Sequence, residues 1–130
     1  MSSPEVAEPH FCVQKIERIL NDASKPVRGS RVLLLGVAYK GGVGDLREAP
    51  ALKIIRLLRD LGADIAYHDP HVADLPEVGL ASVDLDAELR GADIVCIVTA
   101  HPDVDHDRVV REAQLILDFR GITAENLVRL

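Results

Sequence analysis

The chain has 130 residues, 48% of them hydrophobic, which is enough for one domain with its own core and too little for two. Its formal net charge of −6 at pH 7 gives no general attraction for nucleic acid or an anionic membrane, so an anionic ligand must be held by individually placed cations. An aromatic content of 3% also leaves no stacking platform for single-stranded nucleic acid.

Residues 1–9 are small, polar and proline-bearing, which predicts a flexible tail. They lack the basic start and long apolar stretch of a signal peptide, and no later run is long enough to span a bilayer. The expectation is a soluble, cytoplasmic protein without membrane partners. Over residues 10–23 the apolar positions Phe11, Val13, Ile16, Ile19 and Leu20 recur at helical spacing, predicting a lead-in helix that the SKPVRGS stretch ends. Its apolar stripe must pack on something, either a sheet of this chain or a partner helix.

RVLLLG, residues 31–36, is a short apolar run ending in glycine, as expected of a central parallel strand covered on both faces. A loop rich in glycine and charge follows. Then Leu52, Ile54, Ile55, Leu58 and Leu61 form the stripe of a helix over 50–61, with Lys53, Arg56, Arg59 and Asp60 off it and Gly62 as its stop. Residues 64–67 read as a second strand ending at His68-Asp69-Pro70, and 78–83 as a weaker edge strand. A short helix over 85–89, a strongly buried strand over 93–100, a helix over 106–113 and a last strand over 115–118 complete the chain. The alternation predicts an α/β fold: an open, mostly parallel, Rossmann-like sheet with helices on both faces, preceded by the lead-in helix.

In such a sheet the loops after the carboxyl ends of the strands share one edge, and ligands bind where strand order reverses. That edge would gather Lys40, Asp45, Arg47, His68, Asp69, His71, His101 and Arg120. Lys40, Arg47 and Arg120 are the candidate phosphate-binding cations, since arginine offers a planar fork and lysine a mobile point charge. Gly41, Gly42 and Gly44 would let backbone N–H groups approach an anion, though an ordinary turn uses glycine too.

The familiar fingerprints are missing. Gly36-Val37-Ala38-Tyr39 makes no GxGxxG, and Gly41-Gly42-Val43 completes no P-loop. Asp69 resembles a ribose-binding acid by position, but His-Asp-Pro reads better as a turn in which Asp bonds its own backbone. His68, Asp69, His71 and His101 have poor spacing for metal ligation, and no metal is expected. Cys12 falls in the lead-in helix and Cys96 inside DIVCIVTA, both without a neighbouring base, so neither reads as a nucleophile.

GVAYKGGVGDLREAPALKIIRLLRDLGADIAYHDP resembles the start of the C-terminal, UDP-binding domain of the UDP-glucose/GDP-mannose dehydrogenase family. LRGADIVCIVTAHPDVD resembles that domain's later strand and loop, and LILDFRG its final D-x-R strand end. The likeness covers residues 10–121 and is nearest to the branch acting on UDP-N-acetylhexosamines, such as UDP-N-acetylmannosamine. It implies an oxidoreductase acting on a UDP-sugar with NAD as cofactor, converting the primary alcohol to a uronic acid through a cysteine thiohemiacetal and thioester, for polysaccharide biosynthesis. It further implies that Tyr39, Lys40 and Arg120 contact the UDP-sugar and that Arg47 reaches NAD. Residues 10–23 would be the end of the family's interdomain helix and 30–130 the UDP-binding domain.

The resemblance also implies partners. An N-terminal NAD-binding domain and a central catalytic domain would complete the site, in a homodimer. Neither a GxGxxG segment nor a cysteine in the catalytic context is present, so the chain is not expected to be catalytic alone. Two positions depart from the family pattern: Gly41-Gly42 replaces side chains of the binding loop, and Ala49 replaces the serine that caps the following helix, a change typically worth ~1 kcal/mol. The eroded loop motivates a rival expectation, a non-catalytic interaction or regulatory module that keeps the fold and associates through the lead-in helix.

Overall fold

A computed structural model describes residues 9–37, 50–98 and 105–118. In chain order the elements are α1 (Pro9–Asp22), β1 (Arg31–Leu35), α2 (Pro50–Asp60), β2 (Asp64–His68), β3 (Asp74–Leu75), β4 (Leu80–Ala81), α3 (Leu85–Glu88), β5 (Ile94–Ile97), α4 (His106–Glu112) and β6 (Ile116–Asp118). Four strands form one parallel sheet in the order β2-β1-β5-β6.

Strand periodicity divides the core in two, because alternate side chains leave opposite faces of a sheet. Val32, Leu34, Ile65, Tyr67, Ile94, Cys96 and Leu117 enter one layer with α1 and α2. Leu33, Leu35, Ala66, Val95 and Ile97 enter the other, with Leu89 after α3 and Val109 of α4. Every residue of β5 is buried, as a strand covered on both faces must be.

The lead-in helix belongs to this core. Cys12, Val13, Ile16 and Leu20 of α1 are buried in the same cluster as Leu52, Ile55 and Leu58 of α2. The stripe left open between a sheet and a partner helix packs, through these residues, on the chain's own sheet and α2.

Helix α2 ends as its sequence predicts. Gly62 takes a φ of 91°, with Gly62 N–H donating to Arg59 O at 2.9 Å and Ala63 N–H to Leu58 O at 3.0 Å, a Schellman closure that turns the chain into β2. The weak edge strand expected over 78–83 is different in kind. Leu80–Ala81 pairs antiparallel with Asp74–Leu75 in a separate two-stranded sheet, and the chain then meets the main sheet at Ser82, through a parallel bridge to Tyr67, and at Val83, whose N–H donates to Tyr67 O. Two-residue strands carry no readable alternation, so the pattern could not resolve them.

The amino edge of the sheet is tied by charge. Asp93, just before β5, accepts from Lys25 Nζ and from Arg31 N–H, each at 2.8 Å, while its own N–H donates to Arg31 O at 2.8 Å. Arg31 also pairs with Asp64 and Glu88, both at 2.9 Å, and Lys25 reaches Gln114 at 3.1 Å. The bond from Lys25, then that from the Arg31 amide, holds the Asp93 carboxyl below the usual carboxylate range. Asp93→Asn is expected to lower stability by ~1 kcal/mol at pH 7. Because the folded-state pKa is depressed, this contribution is complete above the ordinary carboxylate pKa and is lost as pH falls through the depressed one. Urea unfolding of both proteins between pH 7 and pH 3 checks it: the gap between them should close on acidification.

Candidate functional site at the carboxyl edge of the sheet

Register aligns the strand ends. Leu35 of β1 pairs with His68 of β2 on one side and Ile97 of β5 on the other, and Ile97 pairs with Asp118 of β6. The chain leaves this row toward 38–49, 69–73, 99–104 and 119 onward. From β1 the chain proceeds through α2 to β2 on one side, whereas β5 lies on the other, so strand order reverses between the ends of β1 and β5. This is the place where open α/β sheets hold ligands.

The candidate residues Tyr39, Lys40, Arg47 and Arg120 lie outside the described residues, as do Gly41, Gly42, Gly44, Asp45, Ala49 and His101. Of the edge residues expected from the sequence, the structure places His68, Asp69 and His71, and it brings them together in one heavily bonded turn after β2. Tyr67 Oη donates to Val72 O at 2.8 Å, and His68 Nδ1 lies 2.7 Å from Val83 O. The Asp69 N–H donates to Ser82 Oγ at 3.0 Å. Burial, with Asp74 and Asp69 adding, pushes the Tyr67 phenol up to about 12, so it remains a donor throughout the neutral range.

Asp69 is 1% exposed. Its Oδ1 accepts the His71 N–H at 2.8 Å, which is the turn that the His-Asp-Pro sequence predicts. Its Oδ2 accepts the Val37 N–H, also at 2.8 Å, beyond the end of β1. A carboxylate buried and committed to two backbone amides is not presented to a ribose, so the structure sides with the turn reading. The bond to Val37 was not foreseen. It joins residues 32 apart, and no local pattern announces it.

Cys12 and Cys96 are both buried, and burial, with Cys12 close by, drives the Cys96 thiol well above its ordinary value, so Cys96 stays a thiol in the neutral range. Among the described residues no group of three His, Cys, Asp or Glu is placed to hold a metal ion, and no helix is long and apolar enough to cross a membrane.

Residues 33–125, from β1 past the end of β6, match the UDP binding domain of the UDP-glucose/GDP-mannose dehydrogenase family. The chain belongs to this family. The matched span includes Tyr39, Lys40, Arg47 and Arg120. Among its relatives, UDP-N-acetyl-D-mannosamine dehydrogenase of Campylobacter jejuni is 33% identical over 112 residues, covering 79% of this chain and 26% of that protein. The UDP-glucose 6-dehydrogenase TuaD of Bacillus subtilis is also 33% identical, over 109 residues, covering 80% and 24%. In three dimensions a UDP-D-ManNAc dehydrogenase of Pyrococcus horikoshii superposes with a TM-score of 0.67 at 28% identity, covering 88% of this chain and 28% of that one. The chain thus spans about a quarter of the length of the curated relatives it matches. It corresponds to the C-terminal, UDP-binding part of these UDP-sugar dehydrogenases.

Proposed function

We propose that this chain supplies the UDP-binding wall of an NAD-dependent UDP-sugar 6-dehydrogenase, residues 30–130 forming that wall and residues 10–23 leading into it. Tyr39, Lys40 and Arg120 hold the UDP-sugar, and Arg47 reaches toward NAD. The observation that carries this reading is the reversal of strand order between β1 and β5, at the edge from which the segment bearing Tyr39, Lys40 and Arg47 departs. Arg120 follows β6 on the same edge, two residues after Asp118. Equal identity to an N-acetylmannosamine and a glucose enzyme keeps the substrate at the level of a UDP-hexose.

The turn after β1 does not itself suit a dinucleotide. Gly36 is followed by Val37 and Ala38 rather than further glycines, and Asp69, at the position of a ribose acid, is buried against backbone amides. NAD is accordingly held by a separate domain, which contributes the hydride acceptor for oxidation of the sugar alcohol. The nucleophilic thiol also comes from outside these 130 residues, because Cys12 and Cys96 are buried. Assembly with the NAD-binding and catalytic domains, in a cytoplasmic homodimer serving polysaccharide biosynthesis, completes the proposal.

Titration calorimetry of the 130-residue chain with UDP and with a UDP-hexose tests it. Saturable heat at submillimolar ligand is expected. Absence of heat at millimolar UDP would overturn the reading.

A further inference from the structure

We infer that Asp69 is a positioning residue for the UDP site: from the turn after β2 it fixes the point at which the chain leaves β1 toward Tyr39 and Lys40. This rests on the UDP-binding reading above. Two neighbouring strand ends are coupled here by a buried carboxylate instead of by the ladder alone. The ladder's last bond is Gly36 N–H to His68 O at 2.9 Å, and the next amide, Val37, has passed the end of β2 and donates to Asp69 Oδ2 instead.

The carboxylate is fixed in turn. Its other oxygen holds the His71 amide, and its backbone N–H is held by Ser82 Oγ. The turn is closed by Val72 N–H on Asp69 O at 3.2 Å and by Tyr67 Oη on Val72 O. Val37 itself is 2% exposed and packs in the α1/α2 layer, so its amide has no access to water should the carboxylate be withdrawn. Gly36, with a φ of 80°, takes a left-handed conformation that favours glycine, immediately before the anchored amide. The anchor on Val37 therefore fixes the point from which the chain continues, three residues on, to Lys40. A phosphate contact at Lys40 would depend on that point at the level of an ångström.

The isosteric variant Asp69→Asn keeps one acceptor oxygen but turns an NH2 group toward one of the two amides, breaking one bond with almost no change in volume. Three readouts separate positioning from plain loss of stability: UDP affinity by calorimetry, melting temperature, and hydrogen exchange at the Val37 amide by NMR. A comparison variant, Val109→Ala, lies in the opposite core layer on α4 and should lower the melting temperature without moving UDP affinity. Asp69→Asn is expected to weaken UDP at least tenfold and to speed Val37 exchange at least tenfold, beyond what Val109→Ala produces.

UDP affinity within twofold of the unmodified chain, or Val37 exchange no faster than in Val109→Ala, would overturn the inference. If the unmodified chain ignores UDP, the functional reading falls, and the anchoring of Val37 is still decided by its exchange. Should Asp69→Asn fail to fold, Ser82→Ala carries the test: it frees only the Asp69 backbone amide and is expected to weaken UDP two- to fivefold, unchanged affinity overturning the inference.

Discussion

A chain that begins at Lys25, without α1, is expected to lack a cooperative unfolding transition. Val13, Ile16 and Leu20 are buried against α2 and the sheet, Ile16 and Leu20 completely. Burying an aliphatic side chain of this size contributes about 1.5–3 kcal/mol. Three of them together account for a large share of the 5–15 kcal/mol that holds a typical domain folded. Their removal also exposes the inner face of α2, including Ile54, Ile55 and Leu58, which are 0% exposed in the intact chain. Circular dichroism during a thermal ramp provides the measurement, and a sharp melt of the truncated protein would show that α1 is an accessory. The milder Ile16→Ala should cost about 2–5 kcal/mol in urea unfolding, because the site lies between packed elements that cannot collapse into the void. Both outcomes show how far the fold depends on its lead-in helix.

The second large effect belongs to the ligand. Lys40→Ala combined with Arg120→Ala is expected to weaken UDP binding by at least a hundredfold while leaving the melting temperature within a few degrees. Hydrogen bonds between a cation and phosphate oxygens contribute about 1.5–3 kcal/mol each, so losing two such partners amounts to a factor of a hundred or more. The two residues follow different strands, β1 and β6, so a shared effect on affinity would mean that both segments meet one ligand. Calorimetry on each single variant and on the double variant gives the result directly. Affinity of the double variant within threefold of the unmodified chain would remove both residues from the site.

The sheet and its helices were legible because burial imposes a period. RVLLL and IVCI are apolar throughout since both faces of β1 and β5 are covered, and α2 shows its stripe because Lys53, Arg56 and Arg59 stay in solvent. The stop at Gly62 was legible for a different reason: a left-handed residue at a helix end is a local requirement with a local solution. What could not be read is long-range. The hairpin Asp74–Leu75 with Leu80–Ala81 is too short for a period, and the destination of the α1 stripe depends on the packed fold. The bond from Asp69 to Val37 depends on β1 and β2 lying side by side in one register. At the site the turn at His-Asp-Pro is legible in the sequence, whereas the bond from the Val37 amide to the same carboxylate is not.

The bridge from Ser82 to Tyr67 also bears on how this domain meets other chains. Beside β2, Val83 N–H donates to Tyr67 O at 2.8 Å and Val83 O lies against the His68 side chain at Nδ1, so the carboxyl end of β2 is already engaged on its outer side. An incoming strand from another molecule would find those groups occupied, which is one of the ways that natural sheets resist edge-to-edge aggregation. The β2 side of the sheet is therefore guarded at its carboxyl end, where a strand added by a neighbouring domain or a second copy would first have to displace the segment at Ser82 and Val83.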